Sequence, residues 1–133
     1  MKKKVLLILA LLCAIVQGTW ADDWDAVYTM TQTTSSNWTA LEASSTGRTL
    51  GSSGTTTYHY ATGEVTFTNS NAGGSGLTIL GTVYLYVPQG VTITCTGADA
   101  SGATGAGAGI ELTAENALYL LGSGTVNATG GNA

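Results

Sequence analysis

Few side chains in this sequence could do chemistry, and they are widely spaced. Glu111 and Glu115, four positions apart, come nearest to the paired carboxyls of glycoside hydrolysis. That reaction needs its two groups about 5 to 9.5 Å apart, whereas four residues of straight strand span ~13 Å. Only a corner near Ala114 would bring them together, and solvated carboxylates are the plainer reading. His59 stands between Tyr58 and Tyr60 with no nucleophile in evident register, and reads as an ordinary strand residue. Gly105 to Gly109 alternates glycine with alanine but lacks the spacing and the following helix of a dinucleotide loop. Gly74-Ser75-Gly76 and Gly122-Ser123-Gly124 lack the Gly-x-Ser-x-Gly frame of a hydrolase nucleophile. Calcium-binding repeats need recurrent aspartate, and Asp99 stands alone in the glycine-rich stretch. The expectation is a noncatalytic chain with no metal ligand and no cofactor.

The tyrosines point to binding instead. If Val83, Leu85 and Val87 face inward, Tyr84 and Tyr86 project from one outer face, ~6.6 Å apart along the strand. Tyr119 lies outward in the same way between Leu118 and Leu120. Flat rings beside threonine hydroxyls can stack on the apolar faces of sugars, so Tyr84, Tyr86 and Tyr119 are the candidate glycan-binding residues. The competing reading is that strand surfaces favour tyrosine in any case.

The elements that would hold these residues are short strands. Val65-Thr66-Phe67-Thr68 and Val91-Thr92-Ile93-Thr94-Cys95 alternate apolar with polar residues, which places Val65, Phe67, Val91, Ile93 and Cys95 inside and the threonines outside. Val65 and Val91 stand at nearly the same offset as Val87 and Leu112, roughly 25 residues, the length of one solenoid coil. A second echo, of Leu77 to Val83 in Leu118 to Val126, supports repetition in a different register. Pro88-Gln89-Gly90, Ala114-Glu115-Asn116 and Asn71 to Gly76 read as corners, and Gly97 to Gly109 as a longer loop on one side. The predicted interior also includes Ile79, Ile110, Leu112, Leu118, Leu120 and Val126.

The fold class expected is all-β, a parallel β-helix with an N-terminal cap. Residues 1–21 read as a signal peptide, 22–62 as the capping region, and 63–133 as β-helix coils cut short at the C-terminal end. The cap is expected to include one short helix. Ser35 or Ser36 suits its N-cap, Thr39 to Glu42 fits a capping box, and Trp38 and Leu41 would share a face.

The signal peptide rests on Lys2, Lys3 and Lys4, on the apolar run Val5 to Val16, and on Thr19-Trp20-Ala21 before the cleavage point. That run is too short for a membrane span, which needs ~20 residues. Leu12 before Cys13 disfavours lipidation, which wants a small residue there. Cleavage removes all three lysines, leaving Arg48 against eight acidic residues, 1 − 8 = −7. Such a chain disfavours nucleic acid and anionic membranes, because phosphate binding relies on Lys and Arg. Cys95 alone survives cleavage, at an apolar strand position, and reads as a small buried hydrophobe. The sequons at Asn37 and Asn127 are assigned no glycan.

Val87-Pro88-x-Gly90-Val91-Thr92-Ile93-Thr94, then Gly107-Ala108-Gly109-Ile110-Glu111-Leu112, then Gly122 to Asn132, resembles the amino-terminal coils of large secreted bacterial surface proteins. In these a right-handed parallel β-helix of pectin-lyase-like architecture serves adhesion or carbohydrate binding. The resemblance covers residues 63–133. It implies a secreted or cell-surface location and contact with glycans or with host or neighbouring cells, with further coils of the same protein stacked on these. The alternative it carries is the capping region of a polysaccharide lyase or hydrolase whose catalytic coils lie beyond residue 133.

Overall fold

The computed structural model describes residues 38–133. The expected signal peptide, the Ser35 or Ser36 N-cap and the sequon at Asn37 lie outside the described residues. Eight strands follow one another: β1 (Trp38–Ala40), β2 (Arg48–Tyr60), β3 (Val65–Thr68), β4 (Leu77–Tyr86), β5 (Thr92–Thr96), β6 (Ile110–Leu112), β7 (Ala117–Leu121) and β8 (Thr125–Thr129). Among the described residues there is no helix, and the chain is all-β.

Every pairing between these strands is parallel. One sheet runs β1-β2-β4-β6, with β7 also paired to β4, and the other runs β3-β5-β8. Parallel neighbours need a crossover between them. Here the crossover from β2 to β4 is β3, and the crossover from β3 to β5 is β4, so the chain alternates between the two sheets from β2 to β6, while β1–β2 and β6–β7 are consecutive strands of one sheet.

The period-two alternation places most of the core as expected: Val65, Phe67, Ile79, Val83, Leu85, Val87, Ile93 and Cys95 are buried in one apolar cluster fed by both sheets, and Leu77, not among the expected residues, joins them. Val91, Ile110, Leu118 and Val126 pack against it partly buried. Burial pushes the Cys95 thiol up to about 11, which fits a thiol acting as a hydrophobe.

Three expectations are corrected. The first is the cap helix: Trp38, Thr39 and Ala40 pair with Tyr58, His59 and Tyr60 as a strand, and Leu41 is buried behind them. The local capping pattern is overridden by a ladder to residues far along the chain. The second is the exact register. Val65 pairs with Ile93 rather than with Val91, two positions earlier. Val83 pairs with Leu118 and Leu77 with Ile110, so neither sequence echo is the ladder. Corners of unequal length absorb the difference, as where the β2–β4 register shifts between Gly51 and Thr56.

The third correction concerns Leu112 and Leu120, expected inside. They are 49% and 52% exposed, although they stand in register with buried Ile79 and Leu85. Their strands pair with β4 on one side, and no described strand covers the other.

The corners are closed by side chains as well as glycines. Gly81, at φ 70°, donates its backbone N–H to Asn116 Oδ1 at 2.8 Å. Asn69 Nδ2 donates to the Ser75 carbonyl at 2.9 Å, fixing the Asn71–Gly76 turn. The glycine-rich loop folds back at its base, where the Ala98 N–H donates to the Gly74 carbonyl and the Gly107 N–H to that of Ala98.

Candidate functional site

The parallel register brings four aromatic residues into one row. Trp38 pairs with Tyr58, Tyr58 with Tyr84, and Tyr84 with Tyr119, so β1, β2, β4 and β7 each contribute one ring. Val83 and Leu85, which flank Tyr84, point to the core, so the row stands on the outer face of its sheet. Tyr58 and Tyr84 stack with centroids 5.2 Å apart and planes 14° apart, and Tyr84 and Tyr119 at 4.9 Å and 15°. Trp38 meets Tyr58 at 5.2 Å with a 53° tilt.

This stacking changes what the tyrosines can do. A ring sandwiched between two others has no open face for a sugar, so Tyr58 and Tyr84 serve mainly as rungs. Each such pair contributes about 0.5–1.5 kcal/mol beyond its buried area. Tyr119 is different: one face meets Tyr84, no described ring covers the other, and the residue is 50% exposed. It is the ring in the row best placed to take a ligand.

Tyr86 departs from the sequence expectation. It is in register with Tyr60 and Leu121 and is 3% exposed, so it offers no platform beside Tyr84. Sequence reasoning missed Trp38 and Tyr58. A signal for Tyr58 was present, because Tyr58-His59-Tyr60 and Tyr84-Leu85-Tyr86 repeat one Tyr-x-Tyr triplet at a spacing of 84 − 58 = 26 residues.

The other candidates are engaged in structure. Glu111 Oε2 accepts a hydrogen bond from the buried Ser75 hydroxyl at 2.7 Å. Glu115 sits in the corner before β7 with φ 72°. Asp99 Oδ1 accepts from the backbone N–H and the side-chain amide of Asn132, at 2.7 and 3.1 Å, and so ties the glycine-rich loop to the chain after β8. Among the described residues no three His, Cys, Asp or Glu side chains gather around one point where a metal could sit.

His59 occupies a core-facing position, in register with buried Leu85, and its Nε2 lies 3.2 Å from Thr57 Oγ1. Burial, and secondarily the Arg48 charge, hold its pKa below the ordinary 6.5. The folded state therefore prefers the neutral ring, and this preference stabilises the fold fully above the unfolded value. It is lost as pH falls through 6.5 toward the lower folded value. Melting temperatures of the wild-type chain should fall as pH drops from ~7 to ~5, where most carboxylates stay ionised, while His59→Gln should show a flatter profile. Parallel profiles would show that His59 does not titrate as its surroundings require.

Compared with protein-family models, with curated proteins and with solved structures, the chain matches none.

Proposed function

We propose that this chain is a noncatalytic, exported segment of a right-handed parallel β-helix that presents an adhesive, glycan-contacting surface. The observation that carries the reading is the in-register aromatic row ending in the open face of Tyr119. Support for the helical coil comes from the alternation of the chain between two parallel sheets around one core. Crossovers between parallel strands are right-handed in nearly all proteins. Exposed Leu112 and Leu120 support further coils of the same design as the partner of that edge, since another layer in register would bury both. The secreted or cell-surface address rests on the N-terminal basic and apolar segments.

The sugar contact expected at Tyr119 is a weak one that gains from repetition, because one stacked ring contributes little and several linked sites multiply. Glycan-array binding by the chain, compared with Tyr119→Ala, tests the reading. Loss of a stacked ring should weaken binding by up to about tenfold, with the thermal melt still cooperative. Absence of any glycan bound by the wild-type chain, or binding indifferent to Tyr119→Ala, would remove the aromatic row as a recognition surface.

A further inference from the structure

We infer that β1 is a pH-controlled cover: protonation of His59 lifts residues 38–41 off the first layer of the fold and uncovers the face of Tyr58 against which Trp38 packs. His59 stands in register with Thr39 of β1 on one side and with Leu85 on the other, and Leu120 follows in the same column. Histidine thus holds a core-facing position that the next two layers give to leucine, directly beneath the strand that ends the aromatic row. A ring that titrates near neutral pH at such a place can act as a switch.

The ladder that holds β1 is short. It has three residue pairs, extended by a bond from the Leu41 N–H to the Tyr60 carbonyl at 2.8 Å. The chain is next tied down at Ser44, whose N–H donates to the Thr66 carbonyl, so exposed Glu42 and Ala43 bound the segment that lifts. On the other side of the histidine, β4 pairs with β2 from Arg48 to Tyr60, broken only by the shift between Gly51 and Thr56. Segments at such a thin edge open locally at lower free energy than core strands.

The closed layer offers a charged ring no acid. Among the described residues the ring's hydrogen-bond partner is Thr57 Oγ1, and no carboxylate bonds to it. β1 carries no ionisable side chain, β4 turns Val83 and Leu85 to the core, and Tyr58, Tyr60, Tyr84 and Tyr86 have the opposite strand parity. Across the core, β3 and β5 contribute Val65, Phe67, Ile93 and the neutral Cys95 thiol. Glu42 and Glu64, in the connections after β1 and before β3, are exposed. The charge that acts on the ring is that of Arg48, of the same sign as a protonated histidine. Burial and Arg48 thus keep the ring neutral below its ordinary 6.5 while the layer is closed, whereas a lifted β1 lets water reach it. Between 6.5 and the lower closed value, each unit of falling pH favours the open form by up to about tenfold. Release leaves Tyr58 stacked on Tyr84 alone. Any effect on ligand contact rests on the aromatic row being the binding surface, but the release itself does not.

Hydrogen exchange of the full chain without ligand, read by mass spectrometry at pH ~7 and ~5 and corrected for the intrinsic pH dependence of exchange, tests the release. Protection of residues 38–41 should fall about fivefold or more at the lower pH, while β4 and β5 keep theirs. His59→Gln should remove most of that fall. If the glutamine variant loses its cooperative melt, His59→Leu serves, because it gives the column the residue of the later layers. Equal protection of residues 38–41 at the two pH values overturns the inference. So does a fall shared by β4 and β5, which is global unfolding, or the same fall in a folded His59 variant.

Discussion

Ile93→Asp should abolish the cooperative melt of this chain, while Ile93→Val should preserve it. Ile93 is 0% exposed, stands in register between Val65 and Val126, and belongs to the one core that both sheets share. Arg48, the one Lys or Arg among the described residues, is exposed and lies outside that core. The substitution removes the buried side chain and puts a charge, or a neutral acid with unmatched hydrogen-bonding groups, in its place. The combined cost is on the order of 5 kcal/mol or more. That equals the whole stability of a marginal domain, about 5–15 kcal/mol. Ile93→Val removes one methylene and costs about 0.5–1.5 kcal/mol. Thermal denaturation followed by circular dichroism separates the two outcomes. A cooperative Ile93→Asp melt within a few degrees of wild type would mean that this strand does not face a dry core.

Gly81→Ala is the second large effect, and its size comes from the backbone. Gly81 has φ 70°, which costs an L-residue roughly 1–2 kcal/mol. A Cβ there would also lie 2.3 Å from the Ser52 carbonyl oxygen and 2.4 Å from that of Thr55, both backbone atoms of the β2 corner. To accommodate the methyl, the corner must separate from β4, and the bond from the Gly81 N–H to Asn116 Oδ1 is strained with it. A loss of about 3 kcal/mol or more follows from strain and displaced packing together. Gly54→Ala is the matched control, because Gly54 has φ 76° but nothing within 4 Å of its Cβ. It should lose only the conformational part, roughly 1–2 kcal/mol. Equal losses in the two variants, read by urea denaturation, would show that the close approach at Gly81 relaxes freely.

The inside and outside of the strands were legible because a strand has a period of two. Val65, Phe67, Ile93 and Cys95 alternate with threonines, and any even shift of register leaves the same side chains in the core. That is also why the register itself was not legible: Val91 and Ile93 have the same parity, and only the ladder decides that Val65 meets Ile93. Loop length carries the difference, and a stretch such as Gly97 to Gly109 has no local pattern that fixes how tightly it doubles back. Trp38 illustrates a second limit. Its neighbours carry a sound helix-start pattern, yet its partner is Tyr58, a tertiary contact that no local window contains. The candidate site was half legible for the same reason. Strand parity put Tyr84 and Tyr119 on the outer face, but it could not reveal that Tyr86 is covered or that stacking closes the faces of Tyr84.

The parallel ladders also set how this chain must reach its fold. No named strand pairs with its successor through a tight hairpin: the ladder partners Trp38 and Tyr58 enclose most of β2 between them, and Tyr84 and Tyr119 enclose β5, β6 and the glycine-rich loop. Loop closure must therefore precede the first ladder bond, and its entropic cost comes before any reward. Topologies built from such distant pairings fold slowly, in roughly milliseconds to seconds, where chains with local contacts take about microseconds to milliseconds. During that interval the β-rich segments are unpaired and share the same alternating pattern, so a strand displaced by two positions still hides its apolar side. At Gly81 such a displacement meets a barrier that parity does not: a shift by two positions brings a residue with a Cβ against the Ser52 and Thr55 carbonyls, where only glycine fits.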